Sequence, residues 1–180
     1  MRKILRVVLL AIVALLIYAS TRPDSFHVER TGMIGAPPEV VYAHVVSFHA
    51  WPAWSPWEKL DPNMKREFGG TDGAVGSSYA WVGNDNVGTG KMTITEATPA
   101  SKVDMKLEFI KPFKATNTAT FALAPEGAGT KVTWAMDGKN DLMGKIMSIF
   151  MNMDKMVGGD FERGLVSLKA VSEAGPPAGS

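Results

Sequence analysis

Groups able to do chemistry are few in this chain and poorly spaced for it. The three histidines are His27, His44 and His49. His44 and His49 stand five apart on a segment whose helical pattern ends between them, which suits no metal geometry. No cysteine occurs, so thiolate nucleophiles, disulfides and Cys-based metal sites are excluded. No G-x-S-x-G is present. In "GNDNVGTGK", Gly88 is followed by Thr89 where a phosphate loop would carry lysine, and the segment runs into a strand pattern, so a hairpin turn explains it better. Asp85, Glu67 and Glu108 are expected to face water, and no carboxylate pair falls on one inward face for acid and base work. Neither a metal nor an organic cofactor is expected.

What remains is a small set of polar groups in apolar company. Arg66 shares strand parity with Met64 and Phe68, and Asn117 with Ala119, Phe121 and Leu123, so each either offers a cavity one polar contact or sits on a wet face. In "SSYAWV", either Tyr79 and Trp81 or Ala80 and Val82 face inward. Methionines 143, 147, 151, 153 and 156 crowd one helical tract, as core filling or as an adaptable wall for apolar ligands.

The elements that would position these groups are legible from periodicity. After a strand at 26–34, Pro37 and Pro38 open a helix with Val40, Val41, His44 and Val45 on one face. Six strand patterns follow at 64–68, 77–82, 90–96, 102–110, 114–123 and 130–137, with connections that suit an antiparallel meander. Alternation is cleanest where Val103, Met105, Leu107 and Phe109 oppose Lys102, Asp104, Lys106 and Glu108, the mark of a sheet with one wet face. Residues 141–173 read as one long helical tract burying Leu142, Ile146, Ile149, Met153 and Met156, kinked or broken at Gly158 and Gly159, then burying Phe161, Leu165 and Leu168.

This order resembles the helix-grip fold of the START-like (SRPBCC, Bet v 1-like) superfamily, in its polyketide cyclase and dehydratase-like branch. The resemblance rests on "IGAPPEVVYAHVVSFHAWPAWSPWEKLDP", "GSSYAWVGNDNVGTGKMTITE", "GTKVTWAMDG" and "FERGLVSLK", and covers about residues 26–173. It implies an α+β fold: a curved antiparallel sheet of about seven strands wrapped on a long C-terminal helix, enclosing a cavity for hydrophobic small molecules. Cavity candidates are then Trp54, Trp57, Trp81, Phe109, Phe121 and Trp134 from the sheet side, with Arg66, Tyr79 and Asn117 as polar points. Met143, Met147, Phe150 and Met153 would line the helix side. The resemblance fixes no reaction.

Ahead of this domain, Arg2, Lys3 and Arg6 precede an uncharged run at 7–19. Ile4, Val7, Leu10, Val13, Leu16 and Ala19 would belong to a membrane-seeking helix. A small-residue cleavage pattern is missing at its end, which favours an uncleaved anchor over a cleaved signal peptide. Either way the basic end stays in the cytoplasm and the domain faces the periplasm or exterior. The expected organisation is a membrane segment at 1–22, the helix-grip domain at 24–173 and a flexible tail at 174–180. With 19 Lys and Arg against 18 Asp and Glu there is no field to draw nucleic acid. The sequence carries no signal for an oligomeric state.

The leading expectation is a membrane-tethered binding protein for a lipid-like or other hydrophobic small molecule. Its alternatives are a cyclase or dehydratase-like enzyme, and a module without a cavity that recruits another protein. Trp51, Trp54 and Trp57 are spaced by three among prolines, a period that 3₁₀ turns would align, as a structural plug or as the rim of the cavity.

Overall fold

The structure, a computed structural model, describes residues 1–177. Helix α1 (Arg2–Ser20) precedes β1 (Ser25–Ile34) and α2 (Pro38–Val46), and two 3₁₀ turns follow at Phe48–Ala53 and Pro56–Lys59. Six strands come next: β2 (Lys65–Gly69), β3 (Ser78–Val82), β4 (Thr89–Thr98), β5 (Lys102–Lys111), β6 (Ala115–Glu126) and β7 (Gly129–Lys139). Helices α3 (Leu142–Phe150) and α4 (Met153–Ala174) complete the described chain.

All strand pairs are antiparallel, in the order β1-β7-β6-β5-β4-β3-β2. Neighbours in sequence pair as hairpins except β1, which returns beside the last strand. Alternation decides the faces: Val103 and Met105 of β5, Ala119, Phe121 and Leu123 of β6, and Val132, Trp134 and Met136 of β7 are buried together. Tyr79 and Trp81 are the inward pair of β3, at 3% and 8% exposure. A register shift between Ile94 and Glu96 lets β4 run past the predicted 90–96 and helps to bend the sheet. This is the helix-grip fold, with α2 and α4 packed on the sheet.

The C-terminal helical tract differs from expectation. It breaks at Met151 and Asn152, not at Gly158 and Gly159: Met151 is extended, and Asn152 caps α4 by accepting from the Lys155 amide at 3.0 Å. The glycines lie inside α4, where they permit close approach instead of a kink. A Cβ on Gly158 would fall 2.1 Å from the Arg30 guanidinium, and one on Gly164 would fall 2.5 Å from the Trp134 ring. Phe161, Leu165 and Leu168 are buried as expected. The earlier stretch is not: α3 has no buried residue, Leu142 is 55% and Met156 47% exposed, and α3 packs against α1 instead of covering the sheet. A repeating apolar face shows that something must cover it without saying what, and here the partner is a second apolar helix.

Helix α1 is long and apolar enough to cross a membrane by length and composition, as a signal sequence would also be. The expected tail begins within order, since Ala174 closes α4 and the Gly175 carbonyl accepts from His44 Nε2 at 2.8 Å. Residues 178–180 lie outside the described residues.

Candidate functional site

Helix α2 has no side chain capping its start, and its last carbonyls need donors. The tryptophan segment supplies them. Trp51 Nε1 donates to the Val45 carbonyl at 3.0 Å and Trp54 Nε1 to the His44 carbonyl at 3.1 Å. The two 3₁₀ turns that proline permits carry the rings inward, Trp51 and Trp54 with centroids 4.8 Å apart. Trp54 meets Phe121 at 5.9 Å and Trp134 at 5.6 Å, and Trp134 stacks on Phe161 of α4 at 4.2 Å and 10°. Half-buried Trp57 reaches Trp134 at 5.6 Å. These rings fill the middle of the concave face, so Trp54, Trp134 and Phe121 act as a plug joining α2, the sheet and α4. Trp81 and half-buried Phe109 extend the same layer towards β3, 6.0 Å apart.

Beside this layer lies a buried polar group that sequence reasoning missed. Glu58, in the second 3₁₀ turn, has a side chain only 5% exposed. It accepts from the Tyr79 hydroxyl at 2.5 Å and from Arg66 Nε at 2.8 Å, with Arg66 Nη2 2.5 Å away. Arg66 also donates to the Met64 carbonyl at 3.1 Å. Burial first, then the Glu58 carboxylate, holds the Tyr79 hydroxyl far above its ordinary range, so at neutral pH it donates and does not ionise. The Arg66 guanidinium is held protonated, chiefly by its hydrogen bond to Glu58. The three groups satisfy one another and lock β2, β3 and the tryptophan segment together. Strand parity points to Arg66 and leaves Tyr79 open between the two faces of its strand; a cation among apolar neighbours demands an anion, which was the available signal for Glu58.

Asn117 points inward at 7% exposure, its amide 4.0 Å from Met136 Sδ, a weak acceptor. Gly138 makes room for it: a Cβ there would fall 2.3 Å from Asn117 Oδ1 and 2.4 Å from the Phe26 ring.

Phe26 leads to an open space. The outward swing of α3 leaves a cleft of about 450 Å³ between the start of β1 and the α3–α4 junction. Its apolar walls include Phe26, Val28, Ile149, Phe150 and Met153, and Arg22, His27 and Asn140 stand among its polar lining. Of the helix-side candidates, Phe150 and Met153 border it. Met143 is 50% exposed on α3, and Met147 is half-buried there. Arg22 Nε donates to Ser148 Oγ at 3.3 Å, so the α1–β1 junction is tied to the cleft's far wall. His27 Nδ1 lies 2.7 Å from Asp137, which raises its pKa above the ordinary histidine value.

A second cleft of about 820 Å³ opens at the opposite end, between α2 and the end of α4, where Ser47, His49 and Asp72 meet. Both Ser47 Oγ and His49 Nδ1 (3.2 Å) turn to the Asp72 carboxylate, so the trio does not form a nucleophile–base relay. Among the described residues no cluster of three or more His, Asp or Glu could hold a metal ion.

The protein family described as polyketide cyclase / dehydrase and lipid transport matches residues 25–173. Protein CV1439 from Chromobacterium violaceum has a similar structure, with a TM-score of 0.59 and 18% identity over 84% of this chain and 99% of that one. An uncharacterized protein from Rhizobium leguminosarum gives 0.63 and 13%, covering 84% and 96%. The di-domain ARO/CYC StfQ from the steffimycin biosynthetic pathway gives 0.62 and 10%, covering 83% of this chain and 51% of StfQ. At these identities the likeness is one of fold. No curated protein matches the chain by sequence.

Proposed function

The chain belongs to the polyketide cyclase / dehydrase and lipid transport family, and from that premise we propose that it is a membrane-tethered binding protein for a lipid-like or other hydrophobic small molecule. Residues 1–22 serve as the anchor and 24–173 as the binding domain. The ligand lies between the sheet and the C-terminal helices, in the cleft at the α3–α4 junction. The observation that carries this reading is the break at Met151 and Asn152, which lifts α3 off the sheet and leaves a cleft of about 450 Å³ with Phe26 and Val28 on one side and Ile149, Phe150 and Met153 on the other. That volume falls within the range of about 300–1,000 Å³ usual for small-molecule sites. Affinity comes from apolar burial, at about 25 cal/mol per Å², and the Arg22 guanidinium and Asn140 amide suit a polar end.

An enzyme reading is weaker on the same geometry. Its inward titratable groups would be Tyr79 and Arg66, and both are occupied by Glu58.

Thermal shift of the full-length protein with a panel of lipids and aromatic polyketide-like compounds tests the proposal. Stabilisation by at least one class, lost in Ile149→Trp, which fills the cleft, is the expected result. No shift by any compound would remove the support for it.

A further inference from the structure

Strand register gathers several exposed apolar side chains at one end of the molecule. Ser25 at the start of β1 pairs with Lys139 at the end of β7, and Phe109 pairs with Ala115 across the β5–β6 turn. The turn therefore lies at the same end as the α1–β1 junction, within about 14 Å at ~4.8 Å per strand. Ile110 and Phe113 at this turn are 50% and 57% exposed. On α3, Leu142, Met143 and Phe150 are 55%, 50% and 71% exposed. Single exposed apolar residues are ordinary, but five from two elements at the same end of the molecule call for a partner.

Two observations say what that partner is. The first is the tether: residues 21–24 alone separate α1 from β1, a reach of about 13 Å at ~3.3 Å per residue. Helix α3 runs back along it, with Lys145 Nζ 2.5 Å from Asp24 and Ser148 beside Arg22, which carries Phe150 towards the end of α1. The second is charge. Lys111, Lys114 and Lys139 are exposed at this end and form no ion pair with a described residue. The acids nearby are Asp24, held by Lys145, Asp137, Asp154 and Glu108, paired with His27, Arg30 and Lys106, Asp141, whose carboxylate caps α3, and Asp85 in the β3–β4 turn.

We propose that this end is a membrane-docking face for an anionic phospholipid bilayer. The apolar side chains of α3 and of the β5–β6 turn enter the interfacial zone of the leaflet on the domain's side, and the three lysines bind headgroup phosphates. The mouth of the 450 Å³ cleft is then held against the bilayer. The inference rests on α1 being a retained anchor.

The chain contains no cysteine, so single reporters can be placed without background. Leu10→Cys, Phe113→Cys, Phe150→Cys and Val166→Cys, each spin-labelled in the full-length protein, are reconstituted in phosphatidylcholine vesicles with and without phosphatidylglycerol. Depth is read from oxygen against nickel-chelate accessibility. Position 10 is expected deep, 113 and 150 at the interface, and 166 in water. Replacing the three lysines by glutamine should weaken surface association by about fivefold per lysine, or about 100-fold in all; positions 113 and 150 then move to water and position 10 stays deep. Position 10 deep with 113 and 150 in water overturns docking and leaves the anchor standing. Position 10 in water overturns the anchor, and this inference with it.

Discussion

Trp54 donates its indole N–H to the carbonyl of His44 at 3.1 Å while its ring lies against Phe121 and Trp134. One side chain thus closes the end of α2 and fills the centre of the concave face. Trp54→Phe keeps most of the packing and leaves that buried carbonyl without its donor. The expected loss is about 1–3 kcal/mol, a fall in Tm of about 2–4 °C for each kcal/mol in a chain of this size. An unchanged Tm would show that the hydrogen bond contributes nothing.

The buried carboxylate of Glu58 serves two donors. Glu58→Ala should cost about 3 kcal/mol, the low end for a broken buried pair because Arg66 keeps some access to water. Tyr79→Phe should cost less, since Arg66 still holds the carboxylate. Denaturant unfolding of both single variants and the double variant measures this, and strict additivity would contradict a shared cluster.

Two glycines of α4 should respond oppositely to alanine. At Gly159 a Cβ meets only the Arg163 side chain, at 3.7 Å, so Gly159→Ala should stabilise by up to about 1 kcal/mol through helix propensity. At Gly164 it would press into the rigid Trp134 ring, and Gly164→Ala should destabilise by about 1–3 kcal/mol. Destabilisation at both sites would favour a strained kink over a continuous helix.

His27 gains its raised pKa first from the hydrogen bond to Asp137 and further from the charges of Asp137 and Glu29. A raised folded value means that the contribution is fully present below about pH 6.5 and disappears as pH rises through the folded value. Tm measured against pH for the protein and for His27→Gln should differ at acidic pH and converge on the alkaline side. A difference that grows with pH would reverse the sign and refute the pairing.

The fold was legible because strands with one wet face announce themselves. Val103, Met105, Leu107 and Phe109 fixed the face of β5, and the same parity placed Asn117 and Phe121 on the interior side of β6. Periodicity failed where another signal outweighed it. Asn152 is a helix cap, and its hydrogen bond to the Lys155 amide decided the break that the glycine pair suggested elsewhere. Glu58 lies on a 3₁₀ turn, which has neither strand parity nor a long helical face to mark it as buried. The cleft was least legible of all. It arises from where α3 docks, and the apolar spacing of Leu142, Ile146 and Ile149 is equally consistent with packing on the sheet or on α1.

The proposed function stands on a hydrophobic molecule occupying the cleft between β1 and the α3–α4 junction. Native mass spectrometry of the full-length protein, with solvent extraction of the same sample, tests it most directly. The prediction is a retained small-molecule mass that partitions into organic solvent and is absent from Ile149→Trp. A ligand-free mass throughout, or equal retention by the filled-cleft variant, would contradict it.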